Sequence, residues 1–201
     1  MQTFSHIMEG RILANSNIRK AQYGRALKAL MFKKDLSKIS ISDLCRYTNT
    51  NRHTFYYHFK DIPELIQWLY CDEVDSRMKR YDGVLSKKVA VEYLGILKED
   101  RVFFKRAIDY LGQKRMSTIM MRHETGLFTD MVKRYYDLNE LPQETTQEIK
   151  YHLRACCEIS LDWVRNSNGV TEDELVEKLL SFLPSYVQDA ICENERLQSE
   201  M

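Results

Sequence analysis

Between Ile18 and Lys34 the apolar residues Tyr23, Ala26, Leu27, Leu30 and Met31 recur at i, i+3, i+4, i+7 and i+8, the spacing that lines one face of a helix. A second segment, Ile41–Tyr47, is short. Ser40 precedes it and Asp43 lies in its first turn, so Ser40 is predicted to cap it. Thr48-Asn49-Thr50-Asn51 then interrupts the pattern with residues that tolerate turn geometry, and Asn51 is predicted to cap a third short helix, Arg52–Phe59. Asp61-Ile62-Pro63 opens a fourth helix with Pro63 at its first position, where a missing N–H is harmless. Ile62, Leu65, Ile66, Leu69 and Tyr70 keep the helical period, which extends to about Tyr81, with Gly83 as the first break.

Further helices are predicted near 86–98, 101–111, 113–138, 144–167 and 172–193, with loops at 139–142 and 166–169. Pro184 should kink or divide the last of them. The expected fold is all-α. Residues 1–62 form an N-terminal arm and a three-helix helix-turn-helix unit, 63–82 a connecting helix, and 83–201 a helical regulatory and dimerisation domain.

Composition agrees with long helices. Seven glycines and three prolines are too few to turn many short strands. No apolar run approaches the ~20 residues of a membrane span, and Met1 to Asn17 lacks the apolar core of a secretory signal. These features lead to the expectation of a soluble cytoplasmic protein with no membrane partner. The five cysteines (Cys45, Cys71, Cys156, Cys157, Cys192) form no CxxC pair, which disfavours disulfide scaffolding and zinc ribbons. Cys156–Cys157 reads as buried helical thiols more readily than as a redox switch. His123-Glu124 and Tyr151-His152 lack metal-site spacing, so neither metal nor cofactor is expected.

Charge changes the picture. Net charge is only +1, yet residues 1–62 hold eleven Lys or Arg against four acids, a local +7, while the remainder carries −6. A basic head on an acidic body suggests a polyanionic partner for the head. Short helix, polar turn, short helix is also the pattern in which a second helix enters the DNA major groove. On a wheel that starts from Arg52, Phe55 and Phe59 fall near ~300° and ~340°, a stripe that must face the core. His53, Tyr57 and Thr54 lie on the opposite side, with Arg52, Tyr56 and His58 flanking them, and such a face offers donors and flat apolar edges to bases and phosphates.

At these residues the chain resembles the TetR/AcrR family of transcriptional regulators. The likeness is carried by Ile39-Ser40-Ile41-Ser42-Asp43-Leu44 and by Arg52-His53-Thr54-Phe55-Tyr56-Tyr57-His58-Phe59-Lys60, followed by Glu64-Leu65. It spans about residues 17–70 and returns faintly from Trp163 to Leu180. The resemblance implies DNA contacts from Thr50, Asn51, Arg52, His53, Tyr56, Tyr57 and His58. Ser40, Thr54 and Lys60 complete the candidate DNA-binding set. It also implies a homodimer through the last two long helices and a C-terminal domain that senses a ligand or partner. Three positions depart from the family pattern. Asn49-Thr50 replaces Gly-Val in the turn, which Asn tolerates. His53 replaces a small residue and should alter the sequence read. Ile62 replaces a lysine and removes one phosphate contact. Ile62, Phe55 and Trp68 are similar to the branch related to the dihydroxyacetone-kinase operon activator, whose members answer to a protein partner rather than a drug-like ligand.

One head would bury only ~600–1,000 Å² on DNA, so specific control calls for two copies. Leu161, Val164, Val176 and Leu180 are the expected exposed dimer face. Phe103, Phe104, Tyr110, Met116, Met120, Met121 and Phe128 are candidates for a ligand pocket, although such residues at helical spacing are more often plain core. The leading expectation is therefore a homodimeric regulator, a repressor, on a palindromic double-stranded operator, with a small-molecule or protein effector. A helical enzyme is disfavoured by the lack of a phosphate loop, nucleophile elbow or metal motif. A partner-controlled co-activator, or an adaptor with little DNA binding, is the alternative.

Overall fold

The structure is a computed structural model that describes residues 2–192 except 82, 83, 85, 167, 168 and 190, with side chains from residue 16 onward. Its described residues are helical, with no strand among them. The helices are α1 (Gln2–Met31), α2 (Ile41–Tyr47), α3 (Arg52–His58), α4 (Ile62–Met78), α5 (Lys87–Glu99), α6 (Arg101–Leu111), α7 (Gln113–Tyr135), α8 (Gln143–Asn166) and α9 (Glu172–Leu180). The chain divides into two compact units between Tyr70 and Cys71, within α4. None of the described helices is long and apolar enough to cross a membrane.

In the first unit, α1 extends toward the N-terminus well beyond the predicted Ile18. Its Tyr23, Ala26, Leu27 and Met31 are buried, as their spacing requires. Gly24 permits close approach of α4, because a Cβ there would run into the Leu69 side chain. The α1–α2 link contains a 3-10 turn, Leu36–Lys38, whose Leu36 and following Ile39 are buried. Pro63 is the second residue of α4 rather than the first, and the Asp61 carboxylate accepts from the Glu64 N–H at 2.8 Å. The helix start is thus shifted by one residue, and proline still sits where no N–H is needed.

The second unit packs α7 against α8 and α5 against α9. Ser86 caps α5, and Thr171 with Glu174 forms a reciprocal capping box on α9. Gly112, at φ 81°, makes the abrupt α6–α7 corner, where a side chain would be strained. The last predicted helix is divided: α9 stops at Leu180, and helix resumes after Pro184, with Leu183, Val187 and Ile191 packed against Val132, Ile149 and Leu153. Proline cannot continue the i→i−4 ladder but opens a new helix well. The predicted break at Gly83 and part of the 166–169 loop lie outside the described residues.

Candidate nucleic-acid interface

The short α2–turn–α3 segment is defined at each end by side-chain chemistry. Ser40 Oγ accepts from the Asp43 N–H at 3.2 Å while the Asp43 carboxylate accepts from the Ser40 N–H at 2.9 Å. These two bonds satisfy donors that a helix start otherwise leaves open. Lys34 donates to the same carboxylate at 2.8 Å. That bond and those from Ser40 hold the Asp43 carboxyl well below its ordinary range. Ser40 is itself exposed, but its groups serve the cap.

In the turn, Asn49 takes a positive φ of 50°, the left-handed geometry expected of it. Thr50 follows, and its N–H donates to the Cys45 carbonyl at 2.9 Å. Its hydroxyl bonds the Tyr23 hydroxyl at 2.7 Å and that of Thr48 at 2.9 Å. Thr48 in turn donates to the Leu44 carbonyl. The turn is therefore tied to α1 by a hydroxyl chain that ends on a fully buried tyrosine. Asn51 Oδ1 accepts from both the Thr54 N–H at 2.8 Å and the Thr54 hydroxyl at 3.1 Å. Thr50, Asn51 and Thr54 thus have defined roles in setting the start of α3.

Phe55 and Phe59 point inward as the wheel requires. Tyr23 meets Phe55 edge-on with ring centroids 5.2 Å apart, and Phe59 packs on Phe55, Tyr23 and Trp68. Such edge contacts add to the apolar burial of the rings. With that stripe fixed, the outer face of α3 follows geometrically. Arg52 and His53 are exposed, and Tyr56 and Tyr57 are 53% and 73% exposed. Lys60, just past the helix, is exposed too.

His58 is placed differently. It is half-buried, its Nδ1 lies 3.4 Å from Ser16 Oγ, and its ring is near Tyr23 and Tyr57. Burial first, then the Lys20 and Arg19 charges, lower its pKa, which favours the neutral ring. The sequence grouped His58 with the outward residues because its wheel position lies at the border of the two faces. The structure gathers Arg52, His53, Tyr56, Tyr57 and Lys60 outside, with Ser40, Thr50, Asn51 and Thr54 in the frame behind them. Lys20, which places its ammonium 5.8 Å from the Phe59 ring centroid, is a further cation of this unit that motif reading did not single out.

The residues proposed for ligand and dimer contacts are placed less simply. The second unit holds a cavity of about 500 Å³, and of the seven pocket candidates Phe128 is on its wall. Phe103, Phe104, Met116 and Met120 are buried in the helical core, Met121 is half-buried, and Tyr110 is exposed. Leu161, Val164 and Val176 are 0%, 1% and 1% exposed within the single chain, so the outward face expected of them is not there. Leu180 is half-buried and lines the cavity. Helices packed on several sides bury more than one stripe, so a second apolar face does not imply a second chain. Among the described residues no His, Cys, Asp and Glu cluster suited to a metal is present.

The architecture is similar to the solved structure of the dihydroxyacetone kinase operon activator DhaS. The TM-score is 0.61 at 18% identity, with 86% of this chain and 97% of that chain covered. At that identity the likeness is one of fold. No family profile and no curated protein sequence matches the chain.

Proposed function

We propose that this chain is a DNA-binding transcription regulator that presents the outer face of α3 to the major groove. The observation that carries this reading is the orientation of α3. Its phenylalanines are locked inward while Arg52, His53, Tyr56 and Tyr57 stand in solvent on a head of net positive charge. Arg52 and Lys60 supply phosphate or guanine contacts, His53 and the tyrosines meet base edges and sugars, and Thr50, Asn51 and Thr54 hold the helix in register. A homodimer on a palindromic operator provides the second head that specific binding needs. Repression by occupancy of a promoter is the simplest outcome, with modulation through the second unit.

The similarity in fold to a protein named as an operon activator supports a second reading, in which the bound dimer recruits polymerase. Both readings require duplex binding, so the first test is common to them. Selection from a random duplex pool, followed by fluorescence anisotropy, should yield inverted half-sites about one or more helical turns apart. Affinity should fall steeply with salt, with a slope of about −0.9 per phosphate neutralised. Arg52→Ala and Tyr56→Ala should each weaken binding with helical content unchanged. Enrichment of no duplex, or unchanged affinity in both variants, rejects the reading. Reporter assays on the selected site then separate repression from activation, and sedimentation reads the dimer.

A further inference from the structure

The cavity of the second unit has features of a small-molecule site. At about 500 Å³ it falls within the range of known ligand pockets. Most of its wall is apolar, from side chains such as Val74, Met78, Val89, Leu94, Phe128 and Leu153. Into this wall α7 sets one carboxylate, Glu124, only 9% exposed. The Tyr93 hydroxyl donates to one Glu124 oxygen and the Cys157 thiol, at 3.4 Å, to the other. Two bonds from different helices fix the carboxylate in place.

The charges around the cavity are segregated. Asp75, Lys79, Asp130 and Arg134 are exposed, so both signs occur where water screens them. Deeper, the lining is neutral apart from Glu124. Burial lowers the His152 pKa and so favours the uncharged ring. Burial and then the Glu124 charge push the Cys156 thiol up to about 12 and raise Cys157 as well. Cys156 Sγ lies 3.0 Å from His152 Nε2, but a thiol held so firmly protonated is a poor nucleophile, and the pair is part of the wall. A buried negative group in an apolar chamber penalises anionic ligands and strengthens a bond to a cationic donor.

We propose that this cavity binds an apolar molecule carrying one protonated amine, with the hydrocarbon part against the aliphatic wall and the ammonium on Glu124. Its use as an effector site rests on the DNA-binding reading; the binding site itself does not. The ordering of the cavity explains why an amphiphilic cation is preferred over a purely apolar guest. Desolvating an ammonium is costly, and a fixed buried carboxylate offsets that cost where a hydrocarbon wall cannot.

Three probes with one skeleton test this: decylammonium, decanol and decanoate, each below its micelle-forming concentration, titrated calorimetrically into the full chain without DNA. The expected result is one-to-one binding of decylammonium, tighter than decanol by about tenfold or more, with decanoate weakest. Glu124→Gln should remove the amine preference and leave decanol within about twofold, since the amide keeps the shape and loses the charge. Ala90→Phe, which fills the cavity from α5, should abolish binding of all three probes. No binding of any probe, decanoate ranking first, or an amine preference that survives Glu124→Gln would each overturn the proposal. If Glu124→Gln fails to fold, the wild-type ranking and Ala90→Phe decide it. Because none of these arms uses DNA, loss of this site leaves the α3 reading standing, and a failed operator selection leaves this one standing.

Discussion

In the first unit, the rings of Tyr23, Phe55 and Phe59 close on one another with centroids 5.2 to 6.4 Å apart, and the polar side chains are left to the frame and the outer face. In the second unit, helices of up to 24 residues surround a cavity with a carboxylate in its wall. One region uses its apolar residues to fix where a surface points. The other uses them partly to keep space open. The contrast separates two kinds of function that one fold can carry, recognition by an outward face and recognition by an enclosure.

The comparison breaks most sharply if the ring cluster is not what orients α3. Phe55→Ala removes a fully buried ring that touches Tyr23, Tyr56 and Phe59, and should cost about 3–5 kcal/mol. Hydrogen exchange followed by mass spectrometry checks it. Amides of α1 to α3 should lose protection, while those of α7 and α8, in the other compact unit, should change far less. Uniform loss across both units would show that the chain does not divide energetically where its contacts divide.

The same contrast explains what was legible in the sequence. Helices α2 and α3 have seven residues each, and α3 has room for a single apolar stripe, so Phe55 and Phe59 could go only inward and Tyr56 and Tyr57 only outward. The caps were equally readable, because Ser40, Asn51 and their partners lie within four positions along the chain. Long helices behave otherwise. Phe104 and Phe128 are the same residue type at comparable spacing, yet one fills the core and the other faces the cavity. The difference depends on which neighbouring helix is present at each turn, and local pattern does not contain that information. Leu161, Val164 and Val176 were read as an outer face for this reason. Glu124 could have been found by one signal, an acid at a position where the helical stripe calls for an apolar residue.

A smaller effect probes the polar frame. Thr50→Val keeps the shape and removes the hydroxyl that bonds Tyr23, leaving a buried phenol without that partner. The expected loss is about 1–3 kcal/mol, measured by chemical denaturation. Thr50→Ser should recover most of it, because the hydroxyl returns. If Val and Ser behave alike, the hydroxyl chain does not hold the turn to α1, and the frame must be set by the rings alone.

The subtlest expected effect comes from His58, at the border between the two faces of α3. Its pKa is lowered in the folded chain, first by burial and then by Lys20 and Arg19, while Ser16, Tyr23 and Tyr57 surround the ring without adding charge. The unfolded chain, with an ordinary value of 6.5, therefore takes up the proton more readily. It follows that the contribution of His58 to stability is complete above that value and is lost as pH falls through the folded one. Denaturation midpoints of wild type and His58→Gln, compared between about pH 8 and pH 5, isolate this group from the other histidines. Wild type should lose more stability than the variant over that interval. Equal losses would mean that the ring is as accessible as its outward neighbours, and His58 would then belong with Tyr57 on the face offered to DNA rather than with the core that aims it.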